Sequence, residues 1–456
     1  MSQPQKKKKK RRRYKLVWPS QNPAYLKEHP ELAEKKKRKK KKRHLRYQLT
    51  WQGWVIIATA VAIALALIIP RVADDSKLKG LGYSKTSIAA IRKDKLVSTI
   101  LDNKWYSEYL DQSFSDGTVN TDYLQLYTTV TSAHSDVITA LDDRDFLLYS
   151  RLLDKGYTVT QAVRLFGNLH FWEITPLLVF DYQADDQAYI DDCVSHRDVN
   201  SQDHFELSGS YYTYYGNTLP VEDSSNVDML VNKTYYLDST YTPKDVTDLS
   251  SYYAATGRQL AGTAAEALKD WCNAGRDVGV TFYAASAYRD YDSQDTLYNN
   301  YVGSMGQSAA DAASARPGFS EHQTGYAVDI AATNEDDVEE FKDTKAYTWT
   351  STNCMDYGWI LRYPEGKETI TGYEFESWHY RYLGKELAQA VSASHLTYDE
   401  YYCLYLKGWD DEANKPSDEI IAANDYRTST SDTSAAADSS ASPAASASAS
   451  ASSKTN

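Results

Sequence analysis

His322 and Asp329 stand seven residues apart in Ser320-Glu321-His322-Gln323-Thr324-Gly325-Tyr326-Ala327-Val328-Asp329-Ile330, a stretch ill suited to simple packing. An imidazole sits beside a charge and close to a glycine, and a carboxylate then interrupts an apolar run. Gly325 frees the backbone after a loop, and Tyr326 to Ile330 alternates as a strand does, which puts Ala327, Asp329 and Ala331 on one face. A carboxylate on a face of small residues, with an imidazole returning from the preceding loop, makes two thirds of a zinc site. Taken alone, such a spacing is the mark of an ordinary hydrogen-bonded His–Asp pair.

A second segment, Tyr373-Glu374-Phe375-Glu376-Ser377-Trp378-His379-Tyr380-Arg381-Tyr382, places Glu376 and His379 three residues apart in a strand-like aromatic run. On a regular strand these two side chains face opposite ways, so joint action requires a bend or bulge. If His379 is a third ligand, Glu376 lies beside the open coordination position as a carboxylate that does not bind metal. Two His and one carboxylate on zinc, one position for water and a base to take its proton is what a zinc hydrolase needs. His134, His170, His196, His204 and His395 have no carboxylate at ligand spacing, and no Gly-x-Ser-x-Gly elbow supports a serine triad.

These segments resemble the zinc D-alanyl-D-alanine carboxypeptidases of the VanY type. The resemblance rests on Ser320-x-His322-x-x-Gly325-x-Ala327-x-Asp329 and Glu376-x-Trp378-His379. It rests also on Ser286-x-Tyr288-Arg289 with Gln294, and on Tyr357-Gly358-Trp359-Ile360-Leu361-Arg362-Tyr363-Pro364. Four blocks in order over residues 226–405 are far more specific than any one of them. The resemblance implies that His322, Asp329 and His379 bind Zn2+ and that Glu376 is the general base. It implies that Arg289 polarises the scissile carbonyl, and that Ser320, Gln294 and Ser286 lie near the terminal residue of a peptidoglycan stem peptide. The reaction expected is removal of a terminal D-alanine. The alternatives are an L,D-carboxypeptidase acting on tetrapeptide stems and a non-catalytic protein that binds cell wall.

The rest of the chain must position these groups. The expected fold class is α+β: a small mixed or antiparallel sheet of the DD-peptidase/hedgehog-like kind, preceded by a helical extracellular module and one transmembrane helix. Residues 1–50 carry 20 Lys and Arg against 3 Asp and Glu, a balance of +17, whereas the remaining residues sum to −29. No charge occurs between Arg46 and Arg71, and Trp54 to Ile69 is apolar almost throughout. That length spans a hydrocarbon core of roughly 30 Å, and no small-x-small cleavage site follows it. An uncleaved anchor over 51–72 is therefore expected, with basic residues 1–50 in the cytoplasm and the body outside. Beside such a span the polybasic head reads as topology and anionic-lipid contact rather than nucleic-acid binding.

Residues 75–185 read as a helical membrane-proximal module. Leu81-Gly82-Tyr83-Ser84-Lys85 and Lys155-Gly156-Tyr157-Thr158-Val159 echo each other, each with a Ser or Thr placed to cap a short helix. Residues 186–225 form a polar junction and 226–410 the catalytic domain. Within it a first strand is expected across Leu230 to Leu237, a helix from Leu260 to Gly275 and a strand from Val280. Residues 422–456, rich in Ser and Ala, read as a disordered tail. Cys193, Cys272, Cys354 and Cys403 form an even set in a body expected outside the cell, compatible with disulfides or with isolated buried thiols.

Overall fold

The computed structural model describes residues 23–32, 34–35, 37–38, 50–180, 186–197, 214–216, 218–332 and 340–407. The expected tail at 422–456, most of the basic head and part of the 186–225 junction lie outside these. The chain divides into two compact units, Met1–Tyr106 and Ser107–Asn456.

In the first unit, α1 (Trp51–Leu81) begins where the Thr50 hydroxyl accepts from the Gly53 amide. It is long and apolar enough to cross a membrane, and its apolar stretch is not buried by the described residues. The helix runs past the expected span of 51–72 into a polar last turn. α2 (Lys85–Lys93) and α3 (Val97–Asn103) follow, and Ser84 caps α2 by accepting from the Ser87 amide.

The second unit opens with α4 (Glu108–Asp116), α5 (Asp143–Asp154), α6 (Val159–Phe166) and α7 (Asp186–His196). Thr158 and Gln161 close a reciprocal capping box on α6, so both Gly-Tyr turns lead into capped helices. This helical segment packs directly on the C-terminal part of the chain. The Arg151 guanidinium donates to the Leu404 carbonyl at 3.2 Å, and the Thr175 hydroxyl donates to the buried Glu400 carboxylate.

The remaining elements are a helix-backed sheet. α8 (Gly262–Asp277) buries Ala264, Ala265, Leu268, Trp271, Cys272 and Gly275 on one stripe. That stripe covers one face of a four-stranded sheet made of β1 (Tyr283–Ser286), β2 (Ala327–Ala331), β3 (Trp359–Tyr363) and β4 (Glu376–Tyr382), in the order β1-β2-β4-β3. Every pairing is antiparallel. Val328 and Ile330 of β2 and Tyr380 of β4 point into this core, where the Trp271 ring stacks on Trp359 at 5.9 Å between centroids. The opposite face of β2 carries Asp329. α9 (Tyr291–Met305) and α10 (Gln307–Ala313) flank that face, and α11 (Lys385–Ser394) and α12 (Tyr398–Tyr401) complete the chain's described end.

The expected first strand is shorter than the pattern suggests. Only Tyr235–Tyr236 pairs, in parallel with Leu219–Pro220. The Asn232 side chain accepts from the Thr234 and Tyr235 amides, and this local turn displaces the ladder that an apolar run would otherwise build. The four cysteines form no disulfide, and all are buried. Trp271 has no exposed surface, and Trp271→Ala is expected to cost about 3–5 kcal/mol. Urea unfolding measures this, and an unchanged midpoint would contradict the packing of α8 on the sheet.

Candidate metal centre

Strand register brings the pieces together. Asp329 on β2 lies directly opposite His379 on β4, and Ser286 on β1 pairs with Asp329 from the other side. His322 arrives from a short 3-10 turn, Glu321–Thr324, whose start is capped by the Ser320 hydroxyl accepting from the His322 amide at 3.3 Å. Gly325 ends that turn at φ +74°, and a Cβ there would sit 2.8 Å from the Pro243 ring, so backbone shape and space both call for glycine.

The bend that Glu376 and His379 require is visible in the ladder. Leu361 pairs with Tyr380 but Tyr363 pairs with Glu376, so three residues of β4, Ser377 to His379, span the interval that Arg362 alone spans on β3. The surplus turns Glu376 to the same side as His379, with its Oε2 3.4 Å from His379 Nδ1.

His322 Nε2 lies 3.2 Å from Asp329 Oδ2, and His379 Nδ1 lies 3.0 Å from Asp329 Oδ1. One donor atom from each residue falls within 4.8 Å of the others. Asp329 Oδ1 is buried, and no donor among the described residues meets it in hydrogen-bond geometry despite the nearby imidazole nitrogen. A buried carboxylate and two imidazole nitrogens that converge on one point fit a cation at their centre. Two imidazoles and one carboxylate are the donor set of a catalytic zinc site. His322 Nδ1 is engaged by the Ala287 carbonyl at 2.7 Å, so Nε2 is the nitrogen that would face a metal.

The electrostatics of the site agree with that donor set. Burial holds His322 below its ordinary pKa, which favours the neutral, ligating imidazole. Burial opposes charge on His379, yet the carboxylates of Asp329, Glu321 and Glu376 outweigh it and raise the imidazole to about 9. Burial alone would raise Asp329, but the two imidazoles keep it well below the carboxylate range. A divalent cation held by His322, Asp329 and His379 would take over the compensation that protons otherwise provide there. Burial also pushes the Glu376 carboxyl up to about 7, against the opposing pull of His379.

Arg289 stands at the rim of the three donors, its Nη2 3.8 Å from Asp329 Oδ2. Its Nη1 donates to Gln294 Oε1 and its Nη2 to the Ser286 hydroxyl, both at 2.8 Å, so a fork with fixed charge is held in one orientation. Of the three expected substrate contacts, Ser320 and Gln294 line a cavity of about 180 Å³ shared with Arg289 and Glu376, whereas Ser286 acts on that cavity through Arg289. Trp378, Tyr363 and Tyr373 form its walls.

Sequence reasoning missed Glu321. This carboxylate has no exposed side-chain surface and accepts from Arg362 Nε at 2.8 Å and Arg381 Nη1 at 3.0 Å. Nothing in a glutamate beside His322 distinguishes it from a surface charge. The available signal was Arg362 inside an apolar and aromatic strand, since a buried guanidinium demands a buried partner.

A sequence profile of the family VanY, described as D-alanyl-D-alanine carboxypeptidase, matches residues 257–385. YodJ of Bacillus subtilis strain 168, a protein named as a carboxypeptidase, is 39% identical over 188 residues, which span 40% of this chain and 69% of YodJ. The bifunctional D-Ala-D-Ala dipeptidase and carboxypeptidase VanXYC of Enterococcus gallinarum is 34% identical over 143 residues, 30% of this chain and 75% of its own. Among solved structures, a mutant of the D,D-pentapeptidase VanY from a VanB-type resistance cassette, in complex with Zn(II), is similar at 31% identity and a TM-score of 0.34. It covers 39% of this chain and 99% of that one.

His322→Ala and His379→Ala are each expected to reduce bound zinc from one equivalent to a small fraction, measured by elemental analysis after dialysis. Unchanged zinc content in either variant would contradict the ligand set.

Proposed function

This chain belongs to the VanY family of D-alanyl-D-alanine carboxypeptidases, and on that premise we propose that it is a membrane-anchored zinc enzyme that removes the terminal D-alanine from peptidoglycan stem peptides or their precursors. The observation that carries this reading is the meeting of His322, Asp329 and His379 with Glu376 3.4 Å from the His379 ring nitrogen that faces the donor set.

Bound zinc supplies a Lewis acid that lowers the pKa of water toward about 7 and polarises a carbonyl. The side chains supply the rest. Glu376 accepts a proton from the attacking water and delivers it to the departing amine nitrogen. Arg289, held by Ser286 and Gln294, donates to the carbonyl oxygen as negative charge gathers there. Ser320 and Gln294 face the terminal residue, and Trp378, Tyr363 and Tyr373 narrow the space around it.

In this reading residues 226–410 carry the chemistry, and α1 anchors the chain once in the membrane. The basic residues 1–50 hold that end in the cytoplasm by charge, and the catalytic part faces the cell wall. The substrate lies on that side.

The direct test incubates the full chain, in detergent, with stem pentapeptides ending in D-Ala-D-Ala and with tetrapeptides, and identifies the released amino acid by mass spectrometry. Release of D-alanine from the pentapeptide, lost with chelator and restored by zinc, is expected. Release from the tetrapeptide alone would assign an L,D-carboxypeptidase, and release from neither would favour a wall-binding role. Glu376→Gln is expected to retain zinc while turnover falls about 10²- to 10⁴-fold. Near-normal turnover would remove Glu376 from the base role.

A further inference from the structure

Glu321 occupies a position that the hydrolytic reading leaves unexplained. It neighbours the ligand His322 in sequence, yet its side chain turns away from that ligand and toward His379. Its Oε2 lies 3.4 Å from His379 Nε2, while the other ring nitrogen, Nδ1, faces Asp329 and Glu376. Both nitrogens of the imidazole therefore meet carboxylates, Nε2 that of Glu321 alone and Nδ1 those of Asp329 and Glu376, which converge with His322 on the candidate metal position.

The carboxylate is not free to turn. Arg362 Nε and Arg381 Nη1 both hold Oε1, which leaves Oε2 for the imidazole. Each arginine is fixed in turn. Arg362 makes a bidentate pair with Asp399 at 2.6 and 3.1 Å, and Asp399 accepts from Asn232 at 2.8 Å. Arg381 Nη2 donates to the carbonyls of Val227 and Met229 at 2.8 and 2.9 Å. Glu321, Arg362, Arg381 and Asp399 have almost no exposed surface. Two buried anions and two buried cations balance, but taking such a set out of water is a poor route to stability.

Resting on the zinc reading above, we propose that Glu321 is a positioning residue that holds His379 in the tautomer protonated at Nε2, so that the Nδ1 lone pair is presented to the metal. An ionised carboxylate only accepts, and its partner nitrogen must carry the hydrogen. The other nitrogen then has a lone pair directed at the ion, and the ring plane is fixed by the same bond. His322 receives the equivalent service from the Ala287 carbonyl through Nδ1 and so binds through Nε2. The two histidines therefore bind the ion through different ring nitrogens.

Two measurements on the full chain test this. Magic-angle-spinning NMR of the zinc-loaded, 15N-histidine-labelled protein should find His379 protonated at Nε2 and metallated at Nδ1. The reverse assignment would overturn the proposal whether or not any variant folds. In parallel, zinc affinity is measured by chelator competition for Glu321→Gln and for Asp399→Asn, which disturbs the same charge set without touching His379. Glu321→Gln is expected to bind zinc about 10- to 100-fold more weakly, while Asp399→Asn lowers the unfolding temperature with zinc affinity near that of the unmodified chain. A folded Glu321→Gln that binds zinc normally, or an equal loss of affinity in Asp399→Asn, would overturn the positioning role. Failure of the unmodified chain to bind zinc would overturn the carboxypeptidase reading as well, so the two failures are distinguishable.

Discussion

A carboxylate with no contact with water, Glu321, is answered by Arg362 and Arg381, and the arrangement of the catalytic half follows from satisfying those three charges at once. Removing any one partner would leave an uncompensated buried charge, at a cost of about 3–5 kcal/mol. The turn that carries Glu321 also carries His322, and the strand that carries Arg381 also carries His379. Locking the ion pairs therefore locks both imidazoles relative to each other. Arg362 extends the constraint to Asp399 on α12, and the next residue, Glu400, is covered by Thr175 from the helical segment. Helices α4 to α7 are thus part of the same packed unit as the site.

The candidate metal site lies on one face of the sheet and the hydrophobic core on the other. Alternation along β2 sends Val328 and Ile330 into the core beneath α8 and Asp329 to the cleft. Antiparallel pairing sets Asp329 opposite His379 with no loop involved, which suits a metal site because strand spacing is stiff. The ladder departs from regularity where chemistry needs it, between Glu376 and Tyr380. Two surplus residues there swing a carboxylate over to the ligand face.

Much of this was legible in the residues. The spacing of His322 and Asp329 fitted a turn leading into a strand, and the pair Glu376 and His379 implied a bend, which the β3–β4 register contains. The Gly-Tyr segments announced capped helices through Ser84 and Thr158. Other features depend on partners far away in sequence. Glu321 looks like a surface charge until Arg362 and Arg381, 41 and 60 residues on, are folded against it. Residues 230–234 have the composition of a strand, but Asn232 spends its side chain on its own backbone and on Asp399. The four thiols could not be assigned by counting, because burial and distance decide pairing and neither is visible in spacing.

The central claim is that one zinc ion sits among three named side chains on β2, β4 and the turn before β2. An anomalous difference map at the zinc edge, from crystals of the zinc-loaded protein, tests it most directly. A single peak about 2.0–2.2 Å from His322 Nε2, the Asp329 carboxylate and His379 Nδ1 is the expected result. A peak bound by other residues, or density for the three side chains with no ion between them, would contradict it.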